Sequence, residues 1–165
     1  MNSWPGGQYK TLLEEQHKKE EQTMSISVVY WSGTGNTKAM AGAVAEGIEE
    51  AGAGAEVRSV DQADADALAA ESAFALGCPS MGAEELEETE MEPFVQALEG
   101  KISGKRILLF GSYGWGDGEW MRTWCQRMAD MGAVLTEADG VIANESPGET
   151  ELEKCREAGK KLAGG

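Results

Sequence analysis

A single histidine, His17, serves the whole of this chain, and it lies in a polar leader. That excludes Ser-His-Asp and Cys-His machinery and any multi-histidine metal site. Cysteine is almost as scarce. Cys78, Cys125 and Cys155 are odd in number and far apart, so neither a disulfide framework nor a zinc or iron–sulfur cluster is expected. Reduced thiols in a cytoplasmic protein fit them better. No apolar run approaches the roughly 20 residues of a membrane span, and the N-terminus lacks the apolar core of a signal peptide. Basic residues number 14 against 29 acidic ones, a net charge of −15, which makes nucleic acid and anionic membranes poor partners and a basic protein surface a natural one. Such a chain has little chemistry of its own, so a redox role would need a cofactor to carry the electrons.

What remains is organised in two parts. Residues 1–23 form a polar extension, with the breaker cluster Trp4-Pro5-Gly6-Gly7 and a Glu, Lys and Gln-rich stretch, expected to be disordered or a short surface helix. Met24 offers a second candidate start. From 24 to 165 a single domain is expected. Short apolar runs at 26–31, 55–60, 72–78, 106–111 and 134–143 read as strands; segments at about 36–51, 62–70, 92–99, 119–131 and 148–163 read as helices. Strict alternation predicts a parallel sheet, covered on both faces, with ligands at the carboxyl ends of its strands.

Three loops fall at those ends. The first, Ser32-Gly33-Thr34-Gly35-Asn36-Thr37, joins the apolar run Ile26–Trp31 to an alanine-rich helix. Free amides at a helix N-terminus, with Ser32, Thr34 and Thr37 hydroxyls beside them, make a phosphate cradle. It is not a Walker A loop, because no Gly-Lys-Ser/Thr follows, nor the dinucleotide fingerprint, because position 38 is Lys. The second loop runs from Gly77-Cys78-Pro79 through Ser80-Met81-Gly82-Ala83-Glu84. The third is Gly111-Ser112-Tyr113-Gly114-Trp115-Gly116-Asp117-Gly118. An aromatic on a glycine-rich loop is a stacking platform for a flat ring. Trp120, at a helix start, is expected to cover the sheet instead. A Cys-x5-Arg phosphatase is excluded because Glu84 stands where Arg is needed, and a phosphoacceptor receiver because Trp31-Ser32 and Gly77-Cys78 supply no acids.

Taken together, Thr34-Gly35-Asn36-Thr37, Met81-Gly82 and Ser112-Tyr113-Gly114-Trp115-Gly116-Asp117-Gly118 closely resemble the loops of a short-chain flavodoxin, over residues 24 to about 163. The resemblance implies a flavodoxin-like three-layer α/β sandwich, with a five-stranded parallel sheet of order 2-1-3-4-5 and no long insertion splitting the fifth strand. It implies non-covalent FMN, its phosphate held by Ser32, Gly33, Thr34, Gly35, Asn36 and Thr37, with Ser80 standing in for a hydroxyl lost at Pro79 and Ser112 as a further contact. Lys38 is expected to point into the helix, away from the phosphate. Met81 and Trp115 match the pair that sandwiches the ring, Tyr113 borders it, Glu84 accepts from flavin N3–H, and Ala83, Gly114, Gly116 and Asp117 complete the flavin loops. The peptide at Gly82 is expected to turn over on one-electron reduction so that a carbonyl meets N5–H. The function implied is a monomeric low-potential one-electron carrier, cycling between neutral semiquinone and anionic hydroquinone, with no substrate of its own. Basic reductases or oxidoreductases would dock at an acidic rim that includes Glu84, Glu85, Glu87, Glu88, Glu90 and Glu92. A specialised FMN-dependent reductase, or a helper in activating metallocofactor or radical enzymes, is the alternative.

Overall fold

The computed structural model describes residues 25–164, so the expectation for residues 1–23 lies outside the described residues. The strand β1 (Ser25–Tyr30) leads into helix α1 (Asn36–Glu50), then β2 (Gly54–Ser59). A single 3₁₀ turn, Val60–Gln62, precedes the short helix α2 (Ala65–Ala69), where one helix over 62–70 was expected. The break follows from Asp64, whose carboxylate accepts from the Ala67 amide at 2.9 Å and starts the helix afresh. Next come β3 (Ala73–Gly77), α3 (Met91–Ala97), β4 (Arg106–Tyr113), α4 (Glu119–Asp130), β5 (Val134–Leu135), β6 (Val141–Asn144) and α5 (Glu149–Gly164).

All pairings are parallel, in the order β2-β1-β3-β4-β5, with β6 also on β4. The expected fifth strand over 134–143 is thus two pieces lying on one neighbour. Val134 and Leu135 pair with Arg106 and Ile107, and Val141 to Asn144 pair with Phe110 to Tyr113. Between them the segment Thr136-Glu137-Ala138-Asp139-Gly140 leaves the ladder, and its polar and glycine content explains why.

The alternation of strand side chains assigns the two faces. Val29, Phe74, Leu76, Ile107 and Leu109 pack with α2, α3 and α4 residues such as Leu68, Phe94 and Trp124. Val28, Ala75, Leu108 and Phe110 pack with α1 and α5 residues such as Met40, Val44, Cys155 and Leu162. Burial on both faces is the reason these strands read as unbroken apolar runs. The edge strand β2 differs, with Glu56 and Val57 exposed. On the second face α1 and α5 meet without room for a methyl group. A Cβ at Gly47 would fall on the Arg156 carbonyl, and one at Gly159 on the Val44 carbonyl.

At the amino edge of the sheet basic residues are interleaved with acids, Lys101 pairing with Asp66 and Lys161 with Glu137. Arg106 donates to the Leu162 carbonyl at the end of α5, where cations complement the helix dipole. Lys101, Lys105 and Lys161 lie near the same end by the parallel topology.

Candidate functional site

The carboxyl edge gathers the three loops. After β1 the Trp31 amide still reaches the Gly77 carbonyl at 3.0 Å, holding the first loop against β3. Gly35 then occupies the N-cap of α1 with φ of 97°, a left-handed conformation costly to other residues. The Ser32 hydroxyl accepts from the Gly35 and Lys38 amides at 3.1 and 3.3 Å, folding the loop over the helix end. Among the described residues, the amides of Gly33, Thr34, Asn36 and Thr37 donate to no protein atom. Four unspent donors at the positive end of a 15-residue helix form an anion site.

Thr37 is buried, 1% exposed, and its Oγ1 lies 3.1 Å from Ser112 Oγ, which is 5% exposed. The Ser112 amide also donates to Thr37 Oγ1 at 3.4 Å. These hydroxyls lock the first loop to the third, 75 residues away. Ser80 ties in the second loop, its amide donating to the Ser112 carbonyl at 3.0 Å. Beyond it Met81 and Glu85 exchange both backbone bonds, at 2.8 and 2.9 Å, and close a hairpin. Inside that hairpin Gly82 and Glu84 have φ of 44° and 57°.

These elements enclose a cavity of about 460 Å³. Of the expected residues, Ser32, Gly33, Thr34, Asn36, Thr37, Ser80, Met81, Ser112, Tyr113 and Gly114 stand on its wall. Gly35 faces a second groove outside the loop, beside Lys38 and Asp61. Lys38 is exposed there rather than directed into the helix, because the apolar face of α1 is taken by Met40, Ala41 and Val44. Gly82, Ala83, Glu84, Trp115, Gly116 and Asp117 do not line the cavity. Trp115 is 66% exposed. Trp120 is core, as expected, with Nε1 donating to the Cys78 carbonyl at 3.1 Å and its ring 5.5 Å from Tyr113.

Trp31, Pro79 and Glu145 line the cavity and were not anticipated. Trp31 ends an apolar run and reads as strand, while Pro79 counts only as a missing hydroxyl. Glu145 follows β6 with φ of 56°, its amide donating to the Tyr113 carbonyl at 2.7 Å. Nothing local in Asn144-Glu145-Ser146 marks it; only the pairing of β6 with β4 brings it there.

The acidic segment is not one solvated face. Glu87 is buried, and its carboxylate takes four hydrogen bonds from Thr89, Glu90 and Met91. Burial alone would raise its pKa, but the Thr89 hydroxyl and the backbone amides outweigh this and hold it below the usual carboxylate range. Glu92 forms a two-bond pair with Arg127 at 2.8 and 2.6 Å, and that hydrogen bonding lowers its pKa too. Asp117 is held low by the Arg122 guanidinium, which it meets at 2.9 Å. Glu84 keeps one carboxylate oxygen, Oε1, buried and without a donor, against the Gly116 backbone. Burial pushes the Cys78 thiol up to about 12, so it stays protonated and is no nucleophile.

The donor set fits FMN. Free amides and hydroxyls suit its phosphate, and the Trp31, Met81 and Tyr113 side chains give apolar wall to a flat ring.

Comparison with known proteins agrees. The family model described as Flavodoxin matches residues 28–159. The flavodoxin of Clostridium beijerinckii is 49% identical over 138 residues, covering 84% of this chain and 99% of that one. The flavodoxin of Megasphaera elsdenii is 45% identical, covering 84% and 98%. The solution structure of the two-electron-reduced Megasphaera elsdenii protein superposes with a TM-score of 0.76 over 85% of this chain and 99% of that chain, at 43% identity. Sheet order, loops and relatives concur that the chain belongs to the flavodoxin family, FMN-binding carriers that pass electrons between redox proteins and turn over no substrate of their own.

Proposed function

We propose that this flavodoxin exchanges single electrons with basic partner proteins at the rim formed by Met81–Glu85 and Gly114–Asp117, as a monomer in a reducing cytoplasm. Bound FMN supplies one-electron chemistry at its ring. The free amides of Gly33, Thr34, Asn36 and Thr37 hold the phosphate, so no cation is needed to neutralise it. The Thr37–Ser112 bond fixes that loop relative to the ring-binding loops. Met81 packs on one face of the ring; Trp115, exposed on a glycine-rich loop, covers the other. Glu84 Oε1, buried without a donor, would accept from an N–H of the ring edge, and the Gly82 carbonyl would be the acceptor offered to the ring when it is reduced. Gly82 holds a φ of 44° inside the hairpin, a conformation that glycine adopts without steric cost.

Glu84, Asp117 and Glu119, whose carboxylate oxygens come within 4.8 Å of one another, oppose negative charge on the ring and attract a basic surface. Three buried free thiols fit a reducing compartment, and no helix among the described residues is long and apolar enough to cross a membrane.

The four unspent amides beside Thr37 and Ser112 carry this reading. Titration of FMN-free protein tests it by quenching of flavin fluorescence. FMN is expected to bind at least a hundredfold more tightly than riboflavin, which lacks the phosphate. Equal affinities would remove the phosphate role of the first loop.

A further inference from the structure

The hairpin that carries Met81 and Gly82 is anchored at both ends. Upstream, the sheet holds it. The Cys78 amide donates to the Phe110 carbonyl at 3.0 Å, and the Cys78 carbonyl accepts from Trp120 Nε1 at 3.1 Å. Downstream, no strand follows; Leu86 packs on the core, and Glu87 makes the hydrogen-bonded anchor, through its amide to Cys78 and through its carboxylate to the start of α3. Glu87, 4% exposed, accepts at Oε1 from the Thr89 amide, 2.8 Å away, and the Thr89 hydroxyl. At Oε2 it accepts from the Glu90 and Met91 amides at 2.8 and 3.0 Å. Its own amide donates to Cys78 Sγ at 3.4 Å, and its carbonyl accepts from the Glu92 amide at 2.9 Å.

One residue therefore ties the end of β3 to the start of α3. The helix needs that tie, because its N-cap residue, Glu90, makes no side-chain cap of its own. The Glu92–Arg127 pair then clamps α3 to α4, the helix that follows the Trp115 loop. A carboxylate suits this place because both oxygens accept; an amide would turn an NH₂ group toward backbone donors. Glu87 stands on no wall of the cavity.

We propose that Glu87 is a positioning residue for the flavin hairpin: by fixing its downstream leg to Cys78 and α3, it limits the motion of the 81–85 backbone and so sets the potential at which the first electron is accepted. The inference rests on the FMN reading above. It places the control of a cofactor loop in a buried side chain two residues beyond the Met81–Glu85 bridge.

The test uses Glu87→Gln and Thr89→Val, the second removing only one hydroxyl donor. Hydrogen exchange of FMN-free protein is read at the Met81 and Glu85 amides, and potentials of FMN-loaded protein by spectroelectrochemistry. Glu87→Gln is expected to speed exchange at 81–85 at least tenfold. The first reduction should become about tenfold less favourable, 59 mV for one electron, while FMN affinity changes less than threefold because the 32–37 loop is untouched. Thr89→Val should move both readouts in the same direction by less, and it decides the matter if Glu87→Gln does not fold. Faster exchange confined to 89–97 with an unchanged potential would reduce Glu87 to a helix cap and overturn the proposal. Should the unaltered chain take up no FMN, the parent reading fails instead, and exchange at 81–85 alone decides the positioning role.

Discussion

The Thr37–Ser112 bond offers a direct measure of how rigidly the phosphate loop is joined to the ring loop. Thr37→Val keeps the side-chain shape and removes Oγ1, stranding the Ser112 hydroxyl and removing the acceptor its amide used. An unsatisfied buried polar group costs about 1–3 kcal/mol. For a domain of this size each kcal/mol moves the melting point by roughly 3–4 °C, so a fall of roughly 3–12 °C is expected. Ser112→Ala alone should cost less, because Thr37 Oγ1 keeps the Ser112 amide as its donor. The double variant removes both hydroxyls and leaves apolar groups in contact. It should therefore be more stable than the sum of the singles by about 1–2 kcal/mol. Urea unfolding of the four FMN-free proteins gives this coupling, and FMN titration of the same four shows whether it reaches the cofactor. Costs that add within about 0.5 kcal/mol would refute the claim that these hydroxyls act as one link.

Three further outcomes are expected. Gly82→Ala meets no atom within 4 Å, so its whole effect is the cost of a positive φ, about 1–2 kcal/mol. If the carbonyl facing N5 needs that φ, the first potential falls by about 40–90 mV; an unchanged potential in spectroelectrochemical titration would sink the turning-peptide role. Gly159→Ala should destabilise the fold by about 1–3 kcal/mol in urea unfolding through overpacking against the Val44 carbonyl, and an unaltered midpoint would mean that α1 and α5 are not in such close contact. The Glu92–Arg127 pair should be felt only above acid pH. The Glu92 carboxyl is lowered in the fold from an ordinary 4.5, so the pair stabilises above that value and its contribution is lost as pH falls through the lower folded one. Wild type and Glu92→Gln should differ at pH 7 and converge below 4.5; a constant gap would exclude the ion pair as its source.

The first and third loops were legible because their chemistry is local. Glycines and hydroxyls between an apolar run and a helix start declare an anion site, and an aromatic among glycines cannot be core by periodicity. Alternation foretold the parallel sheet, and the resemblance of the three loops its order. What the sequence concealed was long-range. Glu87 and Glu92 look like Glu88 and Glu90 in a run of acids, yet the first is consumed by the start of α3 and the second by Arg127, 35 residues away. Glu145 joins the cavity only through the register of β6 on β4. The gap in the fifth strand at 136–140 was hidden by the apolar residues on either side, which keep their places on β4.

Because every strand points the same way, the excess of acid in this molecule is uneven along one axis, heaviest at the loop end and offset by lysines paired with Asp66 and Glu137 at the other. Glu84, Asp117, Glu119 and Glu145 crowd the end where strands finish; Lys101, Lys105, Arg106 and Lys161 lie toward the end where they begin. The result is a dipole roughly parallel to the strands, added to the net negative charge. In the field of a cationic neighbour such a body feels a torque as well as a pull, and turns its loop end forward while still separated by solvent. Reversing the sign at the lysine end, far from the three cavity loops, should therefore slow productive encounters at low salt while leaving the cavity untouched.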